Sequence, residues 1–117
     1  MHTAWMTALA LATTIAAAHA QEAPAGSAAR GEMIFMHQMC FNCHGTVGQG
    51  GGVAGPKLAP ESIPWPAFAR QVRAPRQSMP PYSAANLAEQ DLADIYAYMK
   101  SIKAGPRAAD IPLLSGK

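Results

Sequence analysis

Cysteine, net charge, strand-like alternation and long apolar runs are all scarce in this sequence, and each scarcity removes a class of protein. Only two cysteines occur in 117 residues, at Cys40 and Cys43. One bridge at most can form, across a very short loop, so a disulfide-built scaffold is excluded. A structural zinc site normally takes four ligands. No cysteine or histidine follows His44, which leaves Cys40, Cys43 and His44 short of that set. Nine Lys and Arg against seven Asp and Glu give a formal charge of +2. That is no nucleic-acid footprint, which needs a clustered basic face; Arg70, Arg73 and Arg76 come nearest and read as a solvated face. No run alternates apolar and polar residues for long enough to build a sheet.

Basic residues are also absent before Arg30, which argues against an arginine-rich mitochondrial presequence. The apolar run from Thr3 to Ala18 is shorter than the roughly 20 residues that cross a bilayer. Ala18-His19-Ala20 has the A-x-A form of a cleavage site. Residues 1–20 are therefore expected to be a cleaved signal peptide, with an uncleaved anchor as the alternative. The mature chain would be exported to the periplasm with no membrane span. Its 97 residues form a domain that buries only about 60–65% of its unfolded surface. Small exported domains commonly gain stability from disulfides or a cofactor, and disulfides are not available here.

Residues 21–28 read as a polar linker. Ser27 is placed to cap a helix over Ala28 to Gln38, whose Met33, Ile34, Phe35, Met36 and Met39 predict a broad buried stripe. Gly45 to Pro60 holds six glycines and two prolines and reads as loop. Its letters G-x-G-x-x-G, from Gly50 to Gly55, lack the strand, helix and acidic residue of a dinucleotide site. Pro64 to Arg73 predicts a helix with prolines in its first turn. "APRQSMPPYS" reads as extended. Leu87 to about Ile102 predicts the strongest helix, with Ala88, Leu92, Ile95, Tyr96, Met99 and Ile102 at helical spacing. Glu89, Asp91 and Asp94 lie early and Lys100 and Lys103 late, as the macrodipole prefers. Gly105-Pro106 ends it, and residues 104–117 read as a flexible tail.

Both cysteines lie in "CFNCHG", Cys40 to Gly45. A thioredoxin-like C-x-x-C would need a βαβ context, and here a helix precedes and a glycine-rich loop follows. The letters C-x-x-C-H are also those of a c-type haem attachment. Two thiols three residues apart reach the two vinyl groups of one porphyrin, and the adjacent histidine is brought over the ring to ligate iron. Cys40 and Cys43 are thus the candidate thioether residues and His44 a candidate axial ligand. Covalent haem would also supply the core that a chain this small lacks.

A second axial ligand would be methionine or histidine, methionine favouring ferrous iron. Met33, Met36, Met39 and Met99 fall on predicted helices and read as core filler. Met79 lies in a proline-rich loop 35 residues beyond His44, long enough to wrap a porphyrin. Pro80 biases it towards an extended backbone. His37, three residues before Cys40, is the rival.

Gly31 and Phe35, "CFNCHG", "GPKL" at residues 55–58, "MPPY" at residues 79–82 and "LADIYAY" at residues 92–98 together resemble a class I mono-haem cytochrome c over residues 29–103. "IPWPAFARQVRAPRQSMPPYS" further resembles small periplasmic cytochromes that serve bacterial dehydrogenases. The resemblance implies an all-α, cytochrome c-like fold of three to four helices and long loops wrapped around one covalently bound haem c. It implies that the terminal helices cross near Gly31, and that the Pro56 carbonyl accepts a hydrogen bond from His44. It suggests Trp65, Arg73 and Tyr82 for haem or propionate contacts. Asn86 could cap the last helix where Ala88 cannot.

With both axial positions filled, an electron carrier rather than an enzyme is expected. Single electrons would pass from a donor dehydrogenase to an acceptor cytochrome or oxidase. The mostly neutral surface implies weak salt dependence. The protein would be a monomer or a small subunit of a complex. The alternative is a haem enzyme or gas sensor with an open distal position.

Overall fold

In a computed structural model of the chain, residues 22–51 and 55–115 are described. The expected signal peptide and its cleavage site lie outside the described residues. Ser27 starts the first helix as its sequence position predicts, its hydroxyl accepting from the Arg30 amide at 3.3 Å. This helix, α1, spans Ala28–His37. Met39 N–H then donates to Met36 O and Cys40 N–H to Phe35 O, both at 3.1 Å. That pair of bonds is the Schellman motif. Met39 holds the left-handed position of the motif, with φ 62°, a place normally given to glycine and strained by about 1 kcal/mol or more in other residues. The tight reversal delivers Cys40 directly into α2, the four-residue turn Phe41–His44, which the sequence reading did not anticipate. Gly45, at φ 78°, ends that turn.

Helix α3 spans Trp65–Arg73 behind Pro64, and α4 spans Glu89–Ser101. The core lies where α1 crosses α4. Phe35, Leu87, Leu92 and Met99 are fully buried there, with Phe35 edge-on to Tyr98. A Cβ on Gly31 would overlap the Asp94 carbonyl and approach the Ile95 nitrogen to 2.9 Å. Only glycine lets the two backbones come this close, so the crossing expected near Gly31 is centred on Asp94 and Ile95. Trp65 of α3 meets Tyr96 of α4 edge-on and Phe68 meets it tilted, with ring centroids 5.5 and 5.1 Å from it. No strand occurs among the described residues.

Several expectations need correcting. Met33, Met36 and Met39 are 63%, 36% and 53% exposed, not a buried stripe. Gly31 and Phe35 form the seam buried against α4, which leaves Met33 and Met36 towards solvent, while Met39, beyond the helix end, lines a cleft beside Cys40. Asp94 is not a surface residue answering the helix dipole. It is buried, accepting from the Ser27 amide at 2.7 Å and from Gln90 at 3.1 Å, with Arg30 Nε 2.8 Å from its other oxygen. Burial raises its pKa, but these two hydrogen bonds and the Arg30 charge outweigh burial and hold the carboxyl below its ordinary value. Asn86 does not cap α4, whose N-cap is Ala88 with no side-chain bond. Beyond α4, a 3₁₀ turn at Ala108–Asp110 and α5, Pro112–Ser115, punctuate the expected tail.

Candidate functional site

Cys40, at the N-cap of α2, and Cys43, within it, sit about one helical turn apart, and both thiols are free. Burial pushes the Cys40 thiol up to about 11. A redox-active C-x-x-C pair works with a depressed thiolate pKa, so Cys40 is poorly suited to disulfide exchange. His44 ends the same turn and is buried. Its Nδ1–H donates to the Pro56 carbonyl at 2.8 Å, the bond that the resemblance implied. With the proton on Nδ1, Nε2 carries the free lone pair and is oriented as a ligand. Gly55 makes this packing possible. A Cβ there would overlap the Cys43 carbonyl and stand 2.9 Å from His44 Nδ1.

Met79 is held by the loop between α3 and α4, which is pinned back on α3. Tyr82 N–H donates to Val72 O at 3.0 Å. The Arg73 guanidinium donates to the carbonyls of Tyr82 and Leu87, at 3.1 and 2.7 Å, and pairs with Glu89. Tyr82 O–H reaches across to Gln38 O at 3.0 Å. Within the loop so bracketed, Met79 is half-buried, and the Gln71 amide lies 3.9 Å from its sulfur.

Cys40, Cys43 and His44, together with Met79 from 35 residues further along the chain, line one cleft of about 770 Å³. Much of its wall is apolar, from Phe35, Leu58, Phe68, Val72, Leu87, Leu92 and Ile95. This is the size and character of a cofactor site. Two neutral thiols, one imidazole with a free nitrogen and one thioether in an apolar slot form a donor set suited to a flat apolar macrocycle with a central iron. The residues fit that group.

The other candidates fall elsewhere. His37 is exposed and does not line the cleft. Met99 is wholly buried, with its sulfur beneath Gly48. Of the three suggested contact residues, Tyr82 lines the cleft. Trp65 packs in the aromatic cluster, and Arg73 is committed to backbone carbonyls and Glu89. Sequence reasoning missed Gln71, Lys57 and Arg76 as cleft residues. Gln71 carried no local signal, because a polar residue in mid-helix, two before Arg73, reads as solvated.

No group of three or more His, Cys, Asp or Glu side chains among the described residues could hold a metal ion on its own. No helix among them is long and apolar enough to cross a membrane. Residues 26–99 match a family model described as cytochrome c oxidase, cbb3-type, subunit III. Neither the search of curated proteins nor that of solved structures finds a match.

Proposed function

Given that this chain belongs to the cytochrome c family whose model is described as cbb3-type oxidase subunit III, we propose that it is a single-electron carrier with histidine and methionine as axial ligands. The domain binds covalently attached haem c, and its iron supplies the redox change between ferric and ferrous. In this reading Cys40 and Cys43 would hold the cofactor covalently through their thiols, and His44 Nε2, oriented by the Pro56 carbonyl, would be one ligand to the iron. Met79 Sδ would be the other, held in place by the Arg73 and Tyr82 anchors of its loop. With both ligands in place, no position would be left for substrate. The apolar side chains of the cleft would shield the cofactor from water. The observation that carries the reading is the convergence of all four side chains on one apolar cleft.

Residues 1–20 would direct the chain to the periplasm and be removed. A donor dehydrogenase on one side and an acceptor cytochrome or oxidase on the other would be its partners. The oxidase subunit in the family's description favours the oxidase as acceptor.

Haem attachment is tested by the mass of the mature protein, which should carry one haem through acid-acetone denaturation. Ligation is tested by carbon monoxide. The ferrous wild type should bind it slowly or not at all, whereas Met79→Ala should bind it rapidly and show a lower reduction potential. Rapid stoichiometric binding by the wild type would instead favour a gas sensor or haem enzyme with an open distal position.

A further inference from the structure

The outer face of α3 carries a groove of about 450 Å³ that no part of the electron-carrier reading uses. Ile63, Pro66 and Ala67 give it an apolar floor, and Arg70 and Arg76 stand along it. Ile63 is a large apolar residue left 49% exposed. Arg73, on the same helix, is spent on the Tyr82 and Leu87 carbonyls and Glu89. Arg70 and Arg76 make no ion pair or side-chain hydrogen bond among the described residues, and no acidic residue lines the groove. Two unpaired guanidiniums over an apolar floor have the composition of a protein-docking patch, where arginine is enriched.

The position of the groove links it to the cleft. Ile63, Gln71 and Arg76 line both, and Gln71 reaches the sulfur of Met79. A partner seated in the groove would lie against the cleft's wall. We propose that this groove is the docking surface for an acidic segment of the redox partner, its carboxylates pairing with Arg70 and Arg76. The proposal rests on the electron-carrier reading. It places the salt dependence of partner encounter in one patch of an otherwise near-neutral protein. One carboxylate, Glu61, lines the cleft but not the groove, so it does not neutralise the patch.

The test uses the mature haem-loaded protein in its ferrous state. Octaglutamate titration, followed by amide chemical shifts, should perturb residues 63–76 and lose that effect in Arg70→Gln/Arg76→Gln. Oxidation by hexacyanoferrate(III) takes one electron per haem. At an ionic strength of about 10 mM, where the Debye length is about 30 Å, the double variant should react roughly three- to tenfold more slowly than wild type. Oxidation by the cationic tris(phenanthroline)cobalt(III) should not slow. Lys100→Gln/Lys103→Gln removes the same net charge at the end of α4 and should leave the salt slope nearly unchanged.

Equal effects from the two pairs would overturn the proposal, since net charge alone would then explain them. Octaglutamate shifts centred elsewhere would do the same. So would a changed reduction potential in Arg76→Gln with the salt slope intact, which would make Arg76 a counter-charge inside the cleft. A protein that binds octaglutamate on α3 yet exchanges no electron would support the surface and remove the carrier reading, so the two failures are distinguishable.

Discussion

Gly31→Ala puts one methyl group where α1 crosses α4, and its consequence can be worked through. The new Cβ would overlap the Asp94 carbonyl and lie 2.9 Å from the Ile95 nitrogen. Both obstacles are backbone atoms within α4, so no rotamer change relieves them. The helices must move apart, and Phe35, Leu92 and Ile95 lose contact along the seam. Overpacking of this kind costs about 1–3 kcal/mol, and backbone obstacles place it at the upper end. Alanine offsets about 1 kcal/mol of that through helix propensity. The net loss is then about 2 kcal/mol. At roughly 4–8 °C per kcal/mol for a domain of this size, the melting temperature should fall by about 8–16 °C. Thermal unfolding of the mature haem-loaded protein, followed by far-ultraviolet circular dichroism, measures it. Gly105→Ala serves as the control, because nothing lies within 4 Å of a Cβ there. A Gly31→Ala protein as stable as wild type would refute the close-crossing argument.

Met99→Ala empties a fully buried site under Gly48 and should cost about 2–5 kcal/mol in denaturant unfolding while leaving the haem spectrum unchanged. Asp94 is held below the ordinary carboxylate value of about 3.9, so its stabilising bonds are intact above that pH and are lost as pH falls through the depressed value. Asp94→Asn should therefore unfold more readily at pH 7, by about 1–3 kcal/mol, with the contribution of half-exposed Arg30 discounted. Acid titration should show a flatter stability loss for this variant than for wild type below pH about 4; parallel curves would count against the assignment. Gly55→Ala crowds His44 Nδ1 and the Cys43 carbonyl. By weakening the bond to Pro56 it should make the imidazole a poorer electron donor to the iron and raise the reduction potential, measured by redox titration; an unchanged potential would remove Pro56 as a tuning partner.

Much of the site could be read along the chain because its chemistry is local. The spacing of Cys40, Cys43 and His44 is the one that covalent haem attachment would need, and Pro80 and Pro81 mark Met79 as a loop residue. The helices α1, α3 and α4 announced themselves by periodicity, capping and prolines, which act over a few residues. What only the tertiary structure decided was which groups meet. Periodicity shows that α1 has an apolar side but not how closely its partner approaches; Gly31 sets that distance, and the outward turn of Met33 and Met36 goes with it. Likewise a carboxylate on α4 carries no local sign of burial, because Asp94 is stabilised by Ser27 and Arg30 from the other end of the domain. Arg73 and Arg76 look alike in sequence, yet one is consumed by loop carbonyls and the other is left free beside the cleft. Such differences depend on contacts between residues distant along the chain, and they exist only once it has folded.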